Sequence, residues 1–314
     1  MIEKVEESTA SQPTTVPAPR NSWSAWWPGF QRFLGNRKAA AGLVIVLVLV
    51  ALGVFAPWLT SISPQAQSFV PLRPPSLAHP LGTTAQGQDV WSQFVWGTRA
   101  SMTVGFAAGF LATAITVIIG MLSGFIGGIG DEALQMLTNV FLVIPGLPLI
   151  VVISSYFPFQ NNWPLIVIIA LTSWSWGARV LRAQVLSMRE LPFVEAARMA
   201  GERTTAIVFR ELMPNMLSLI FSQFLFAVVS AVLTEAGLQF IGLGNIDAVS
   251  WGSMLYWAQN DSALMTGAWW WFVPPGVAIG LFGAGLSLIN YGLDEITNPR
   301  LRARVRRQKR GRPA

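Results

Sequence analysis

Long stretches without a charged residue alternate with short charged stretches along the chain. The uncharged runs are Ala39–Leu59, Ser101–Gly130, Ala133–Ala178, Leu212–Thr234 and Trp271–Leu293. About 20 apolar residues suffice for a helix to cross the hydrocarbon core of a membrane, so each run predicts at least one span. The third run is too long for one helix, and turn signals in Tyr156–Pro164 divide it into two. The pattern therefore predicts six transmembrane helices, with a kink at Pro145 and Pro148 in the third.

The composition agrees with a polytopic membrane protein of the all-α class. Of the 314 residues, 53% are hydrophobic and only 11% are charged, whereas soluble domains average about a quarter charged residues. The first apolar run begins only at residue 39 and is too long for a cleaved signal peptide, which favours a transmembrane helix. The chain has no cysteine, which excludes disulfides, thiolate metal sites and cysteine nucleophiles.

The distribution of Lys and Arg between the loops predicts the orientation in the membrane. One side collects most of the basic residues, namely Arg20, Arg32, Arg37, Lys38, Arg179, Arg182, Arg189, Arg198, Arg203, Arg210 and the tail from Arg300 to Arg312. The other side holds only Arg73 and, at a helix edge, Arg99. Because basic loops stay in the cytoplasm, both termini are predicted to be cytoplasmic.

These spans and loops divide the chain into five segments. They are a cytoplasmic N-terminal tail with an interfacial aromatic segment (1–38), a first transmembrane helix (39–59), an extracytoplasmic segment (60–100), a core of five transmembrane helices that includes a cytoplasmic loop at 183–213 (101–293) and a basic cytoplasmic tail (294–314). We interpret the basic tail as a topology anchor that contacts anionic membrane lipids. We expect no nucleic-acid partner, because clustered charge by itself is unspecific.

The sequence lacks the residue patterns of the common enzyme and metal sites. No Gly precedes a Lys, which excludes a P-loop of the usual kind. His79 is the only histidine, so neither a multi-His metal site nor a Ser-His-Asp relay can form. Glu235 is the only carboxylate near the interior of a span. We therefore expect no catalytic residue and no metal, and a role in transport, in a channel or in membrane structure.

The stretch EAARMAG, residues 195–201, carries the signals of a short helix within the charged loop. Pro192 suits the first turn of a helix, and the helix dipole favours Glu195 there. Gly201 ends or bends the helix, and a second short helix is predicted to reach Pro214, which opens the fifth span. Small alanine side chains and a Gly break would let another protein approach closely, which makes this a candidate docking element. The alternative is an amphipathic loop packed on the base of its own bundle.

The same loop resembles the EAA loop of ATP-binding-cassette (ABC) importer permeases. The resemblance rests on Glu195-Ala196-Ala197, Gly201 and Leu212-Met213-Pro214-Asn215. Glu211 and Met213 depart from the frequent His and Leu of that family, but neither change affects the Gly break or the Pro. Further stretches resemble the C-type permease subunit of dipeptide and oligopeptide importers, namely HPLGT from His79, FIGLG from Phe240, WGSML from Trp251 and NPRLR from Asn298.

This resemblance implies a fold, a set of partners and a location. The fold is that of a type I ABC importer permease (MetI-like), with six transmembrane helices and both termini cytoplasmic. The partners are a second homologous permease subunit, ABC ATPase subunits and an extracytoplasmic substrate-binding protein, and the substrate is a peptide. This chain binds no cofactor of its own, because ATP and Mg are bound by the ATPase subunits. The location is the plasma or inner membrane of a bacterium or archaeon.

The resemblance also implies roles for individual residues. Glu195, Ala196, Ala197 and Gly201 belong to the coupling helix that docks on the ATPase, and Arg198 adds a salt bridge to the same partner. Glu235 has two interpretations from the sequence: an outer gate that is hydrogen-bonded to the 237–255 loop, or an interfacial acid with water access.

The cargo and the broader class each have alternatives. The cargo is a peptide or a related compound such as a nickel chelate, glutathione or haem. A stand-alone channel, a secondary carrier or a membrane scaffold is the alternative from another class. Nearly every span is apolar, so the sequence does not identify the residues that line a pathway.

Overall fold

The computed structural model describes residues 35–156 and 161–297 of the chain. Within these two ranges the chain is helical, and it has no β-strand beyond one isolated bridge between Thr83 and Asp89. The predicted all-α membrane fold is confirmed. The aromatic segment before residue 35, part of the predicted turn at 156–164 and the basic tail from residue 298 lie outside the described residues.

The first membrane helix forms where the sequence predicts it, but it breaks before its end. Helix α1 covers Arg37–Val54, and the short helix α2 (Ala56–Leu59) follows after a break at Phe55. Pro57 lies in the first turn of α2, where its missing N–H costs no helical hydrogen bond. The apolar run thus contains one long helix and one extra turn.

Helix α3 (Val90–Ile126) begins earlier than predicted. The uncharged run predicts this helix only from Ser101, whereas the helix starts directly after Asp89, so its first turns lie in the predicted extracytoplasmic segment 60–100, whose bounds stay a prediction. The Asp89 carboxylate accepts a hydrogen bond from the backbone N–H of Ser92 at 2.8 Å and so caps the helix. The uncharged run begins only after Arg99, because Arg99 is charged. An exposed charged residue on the surface of a helix does not end the helix, so the helix continues through this position.

The third and fourth predicted spans are each a pair of helices that meet at an angle. Helices α4 (Gly128–Val143) and α5 (Gly146–Ser155) are bent by 86°. Helices α6 (Trp163–Ser173) and α7 (Ser175–Met188) are bent by 42°. The kink predicted in the third span is confirmed, because Pro145 lies in extended backbone between α4 and α5.

The charged loop leads into a long helix without the break that the sequence predicts. After α8 (Pro192–Met199) come a helical turn α9 (Thr204–Ala206), a π-helical turn (Ile207–Leu212) and α10 (Met213–Phe240). The last three join into one continuous helix of 37 residues. The prediction that Pro214 opens a separate span is therefore wrong. A proline lacks an N–H and crowds the preceding turn of an α-helix, and here the preceding turn, Ile207–Leu212, is π-helical instead of α-helical.

The last part of the described chain contains two helices. A short helix α11 covers Trp251–Asn260, and α12 (Trp269–Thr297) starts before the predicted Trp271 and continues past Leu293. Within residues 35–156 and 161–297, four helices are long and apolar enough to cross a membrane, and the number rises to six if each bent pair forms one span. The predicted six spans correspond to the upper of these two counts.

Helix α3 lies at the centre of the bundle and packs against α1, α6, α7 and α10. Small residues on its surface allow this close packing. A Cβ atom at Gly120 would lie 2.7 Å from the carbonyl oxygen of Ala178 in α7. A Cβ at Gly109 would lie 2.6 Å from a methyl carbon of Val228 in α10. In lipid, where the hydrophobic effect does not drive helices together, such small residues are what allows close approach.

The two ends of α3 define the two ends of the bundle. We call the end at Ile126 the basic end, because Arg182, Arg189 and Arg198 lie around it. We call the end at Val90 the opposite end. The segment between α2 and α3 and the α10–α12 connections, including α11, lie there.

Candidate functional site

The predicted docking element is a separate helix, α8, at the basic end. Pro192 lies in its first turn after Leu191 in extended backbone, and Glu195 lies in the same turn. The helix ends at Gly201, which has a φ of 77°. The N–H of Glu202 donates to the carbonyl of Ala197 at 3.2 Å, and the N–H of Gly201 donates to the carbonyl of Arg198 at 3.0 Å. These two bonds form a Schellman motif, so the predicted helix end at Gly201 is confirmed.

Gly201 is required by its backbone conformation within this chain. No heavy atom of the described residues lies within 4 Å of the Cβ that a side chain would add there. A left-handed φ is costly for residues with a Cβ, which accounts for glycine without any crowding from the bundle.

One fully buried side chain anchors α8 to the bundle. Val194 is 0% exposed, and Ala197 is half-buried beside it. The buried cluster around Val194 draws on α3, α7 and the π-helical turn with α10: Val117, Met121, Phe125, Leu181, Val185, Ile207, Val208, Leu212 and Met216. The inner face of α8 therefore packs on its own bundle, as the amphipathic-loop interpretation expects for that face.

The outer face of α8 has no covering element in the described part of the chain. Glu195, Ala196 and Arg198 are exposed, and Met199 is 81% exposed. Phe193 is 38% exposed, although it is aromatic. The helix thus presents small, apolar and charged side chains together, which is the composition of an interaction surface more than of a solvated loop.

Arg198 of the predicted docking set is exposed but also contacts its own bundle. Its guanidinium carbon lies 4.8 Å from the ring centre of Phe125, near the end of α3. A cavity of about 570 Å³ opens beside this contact and is lined by Phe125, Ile126, Arg189, Glu190, Arg198, Glu202, Thr204 and Ile207. The stacking holds the exposed side chain close to the end of α3, and the salt bridge to a partner stays a prediction.

Glu235 lies far from α8, at the opposite end of the bundle. It is 1% exposed, so the interpretation as an interfacial acid with water access is wrong. Ser101 of α3 donates a hydrogen bond to its Oε2 at 3.1 Å. Its Oε1 has no hydrogen-bond partner among the residues that the structure describes. The other interpretation joins Glu235 to the 237–255 loop, and the structure shows that Trp251 in this loop is linked to Glu235 through Ser101.

Helix α11 covers Glu235 through a network of polar contacts. The backbone N–H of Trp251 donates to Ser101 Oγ at 3.1 Å, and the indole N–H of Trp251 donates to Thr98 Oγ1 at 3.1 Å. The hydroxyl of Ser250 caps α11 and donates to the side-chain oxygen of Gln239. Trp251 is 0% exposed. The network joins α3, α10 and α11 around Glu235.

Sequence reasoning missed most of this network. Thr98, Ser101, Gln239 and Ser250 are ordinary polar residues at the ends of apolar runs, and only their spatial neighbours give them a role. One signal was available, because Ser250 stands three residues before Ser253, and the two form a capping box at the start of α11.

The single histidine has a structural role at the opposite end. His79 Nδ1 lies 2.8 Å from Asp89 Oδ1, while the other oxygen of Asp89 caps α3. Both side chains are buried. The pair fixes the start of α3 against the preceding segment.

Two protein-family models match the chain. The description of the first is a binding-protein-dependent transport system inner membrane component, and it matches residues 116–303. The second is the N-terminal transmembrane domain of an oligopeptide transport permease C, and it matches residues 24–75. Together the matches include α8, Glu235 and the first membrane helix.

Several curated proteins are similar along most of the chain. A putative peptide transport system permease protein of Brucella abortus is 33% identical over 277 residues, which cover 87% of this chain and 91% of the relative. The oligopeptide transport system permease protein of Bacillus subtilis is 29% identical over 300 residues, or 95% of this chain and 97% of the relative. The dipeptide transport system permease protein of the same organism is 32% identical over 287 residues, or 90% and 88%.

Proposed function

The chain belongs to the family of binding-protein-dependent transport system inner membrane components, and on that premise we propose that it is the permease subunit of an ATP-driven peptide importer. It forms one half of the translocation pathway, and a second homologous permease forms the other half. ABC ATPase subunits bind ATP and Mg and supply the energy. This chain carries no catalytic residue and no cofactor. The peptide cargo is inferred from relatives whose names give peptides, oligopeptides or dipeptides as substrates.

The observation that carries the proposal is the exposed outer face of α8. Glu195, Ala196 and Met199 lie on a helix that is anchored from below by Val194 and ended by a Schellman motif. A rigid, short helix with small side chains suits insertion into a groove of another protein. We assign the ATPase as the occupant of this surface, with Glu195, Ala196, Ala197 and Gly201 as the coupling residues and Arg198 at the edge of the contact.

We place the basic end in the cytoplasm of a bacterial or archaeal cell, with the chain in the inner membrane. Lys and Arg are concentrated at the basic end, and such loops stay on the cytoplasmic side. ATP is available on that side. The opposite end then faces outward, where an extracytoplasmic substrate-binding protein delivers the cargo.

We assign Glu235 to an outer gate at that end. Its carboxyl group lies beneath α11 and is joined through Ser101 to the first residue of α11. A displacement of α11 away from the bundle breaks this chain of hydrogen bonds and uncovers Glu235. Glu235 is buried when α11 lies on the bundle and uncovered when α11 is displaced. A half-uncovered acid is costly, so we expect two discrete positions of α11 instead of a gradual movement.

Two alternatives are kept as outcomes of experiment. Nickel chelates, glutathione and haem are the alternative cargoes, and a transport assay that compares them with di- and oligopeptides decides between them. A stand-alone channel or secondary carrier is the alternative from another class, and it requires no ATPase on α8.

The test of the proposed function is co-purification from the native membrane. A tagged chain is extracted gently, and we expect a second permease and a P-loop ATPase to accompany it. The variant A196W adds bulk to the exposed face of α8, and Q184W adds the same bulk to an exposed position of α7. We expect A196W to lower the recovered ATPase about tenfold, as a loss of 1.4 kcal/mol in affinity gives, and Q184W to recover it normally.

Both variants leave the buried face of α8 unchanged, so their amounts in the membrane should equal that of the unmodified chain. Purification of the chain as a homo-oligomer without any ATPase would refute the importer and favour a channel or carrier. Equal recovery of ATPase with A196W and Q184W would place the docking surface elsewhere.

A further inference from the structure

Helix α4 leaves the central helix α3 through two consecutive glycines in the left-handed region. Gly127 has a φ of 68° and Gly128 a φ of 62°. Around both positions no heavy atom of the described residues lies within 4 Å of an added Cβ. Only glycine adopts this conformation routinely at two successive positions, so the backbone conformation and not crowding accounts for both glycines.

Helix α4 buries few side chains in the described chain, and a ring contact joins its Phe141 to Trp174 between α6 and α7, with ring centres 5.3 Å apart. Of its 16 residues, Thr138 is the one that is buried. Large apolar side chains point away from the bundle, among them Ile129 at 85%, Met136 at 71% and Val143 at 82% exposed. The position of α4 therefore depends on the contacts of its other face.

That other face carries a row of polar side chains that meet two arginines of α7. The guanidinium of Arg182 donates from Nε to Asp131 Oδ1 at 2.9 Å and from Nη2 to Asp131 Oδ2 at 2.7 Å. Gln135 lies one turn further along α4, and its amide accepts from the same guanidinium when its oxygen is turned toward Arg182. Arg179 donates from Nη2 to Asn139 Oδ1 at 2.7 Å. We call these five residues the polar seam.

The spacing of the polar seam explains why the two helices stay in register. Asp131, Gln135 and Asn139 recur every fourth residue and so lie on one face of α4. Arg179 and Arg182 are three residues apart on α7 and face them. The seam covers about 12 Å of helix, at a rise of 1.5 Å per residue. The bidentate pair is its strongest part, because its charged groups are mostly screened from water, at 22% and 14% exposure.

Helix α7 and the proposed docking helix α8 contribute side chains to the same buried cluster. Leu181 and Val185 of α7 share the buried cluster with Val194 of α8. Arg189, at the end of α7, donates to the carbonyl of Gly124 in α3 at 3.5 Å. A displacement of α8 can therefore reach α7 through this shared cluster and through the short connection at 189–191.

We propose that the polar seam transmits movement of α8 to the broken helix pair α4–α5, with Asp131 and Arg182 as positioning residues and Gly127-Gly128 as the hinge. The inference rests on the proposed function, since it presumes that an ATPase moves α8. When α8 and α7 shift, the bidentate pair carries the start of α4 along, and the glycines absorb the change of angle against α3. The seam thus makes α4 follow the docking helix although α4 has almost no buried surface of its own.

The experiment uses the complete transporter and variants of the seam. D131N and R182Q each remove one side of the ion pair, and the double variant D131N/R182Q removes both. E132Q is the matched control, because it removes the same charge from the adjacent, exposed residue. We expect each single variant to lower substrate-stimulated ATP hydrolysis about fivefold or more, the lower range of allosteric coupling. The double variant should be no worse than either single one, and E132Q should match the unmodified protein.

A second readout follows the movement itself. The chain has no cysteine, so V143C introduces a single thiol at the exposed far end of α4. In the E132Q background we expect the labelling rate of this thiol to differ between the nucleotide-free and the ATP-trapped transporter. In the D131N background we expect the labelling rates of these two states to be equal. A merely structural effect of D131N would change the yield and leave this difference in place.

The outcomes separate the seam from the docking proposal. If the ATPase co-purifies with D131N as with the unmodified chain while stimulation and the labelling difference are lost, the seam is the link. Full stimulation in D131N and R182Q would overturn the inference and leave the docking proposal intact. If D131N lowers the amount of folded protein, the variant N139A takes its place, because it removes only the neutral end of the seam. It is judged by the same two readouts, ATP hydrolysis and labelling. An unchanged labelling difference in N139A then counts against the seam.

Discussion

The two ends of the central helix α3 are completed in opposite ways. At the opposite end, α11 is inserted between α3 and α10, and its first residue Trp251 is 0% exposed with both of its N–H groups hydrogen-bonded. At the basic end, α8 rests on Val194, while Met199 is 81% exposed. Among the residues that the structure describes, α11 closes one end, whereas the outer face of α8 at the other end stays uncovered.

Under the proposed function, the basic end is the one that depends on a partner. A buried polar network is costly to leave half satisfied, so the parts around Glu235 stay together or separate as a unit. An exposed helix with apolar and charged side chains gains stability only when another surface covers it. Disturbing the opposite end should therefore cost stability of the isolated chain, and disturbing the basic end should mainly cost assembly and coupling.

The largest effect is expected where the network is anchored by an aromatic ring. W251A removes a fully buried side chain, and truncations of this kind cost about 3–5 kcal/mol of unfolding free energy. W58A is the control, because Trp58 is 79% exposed. Thermal unfolding of both variants in detergent should show a lower midpoint for W251A only. Equal midpoints would mean that α11 does not contribute to the stability of the closed end.

A smaller effect is expected for the acid itself. E235A leaves the hydroxyl of Ser101 without its acceptor in a buried site, which costs about 1–3 kcal/mol. E235Q keeps the shape and an accepting oxygen, so it should stay close to the unmodified protein. Limited proteolysis of the 241–268 region reports whether α11 stays in place. Faster cleavage in E235A with normal cleavage in E235Q is the expected result, and equal cleavage of all three proteins would contradict the assignment of Glu235 to the gate.

The smallest effect on stability is expected at the basic end. G201V places a β-branched residue at a left-handed φ, at a cost of about 1–2 kcal/mol, and G201N places a residue that tolerates this conformation. Hydrogen exchange of amides 194–202 should become faster in G201V and stay nearly unchanged in G201N. The melting of the bundle should hardly change in either variant.

The same pair of variants sharpens the role of Gly201. If G201N supports substrate-stimulated ATP hydrolysis and G201V does not, the glycine serves the backbone of α8. If both variants fail although the hydrogen exchange of G201N is normal, coupling requires that residue 201 has no side chain, because the partner approaches it too closely for any Cβ.

The sequence was informative wherever a feature depends on neighbours along the chain. The start of α8 at Pro192, its end at Gly201 and the break at Pro145 all follow from the conformational limits of proline and glycine, and each is confirmed. The apolar runs located the membrane helices because burial in lipid requires uninterrupted apolar sequence.

Features that depend on distant residues could not be predicted. Glu235 was placed near an apolar boundary, but its burial depends on Trp251 and Ser101, which come from two other helices. The pairing of Asp131 with Arg182 joins positions 51 residues apart. Asp89 was a local signal for the early start of α3, because Asp is a common N-cap residue. A search for uncharged runs does not detect this signal.

The two longest helices also set the dimensions of the molecule. Helix α3 and the continuous helix that ends at Phe240 each have 37 residues, which corresponds to a length of about 55 Å. The hydrocarbon layer of a membrane is only about 30 Å thick, so each helix is roughly 25 Å longer than that layer. Glu235 and the π-helical turn beside α8 therefore lie on one continuous helix whose ends are farther apart than the hydrocarbon layer is thick.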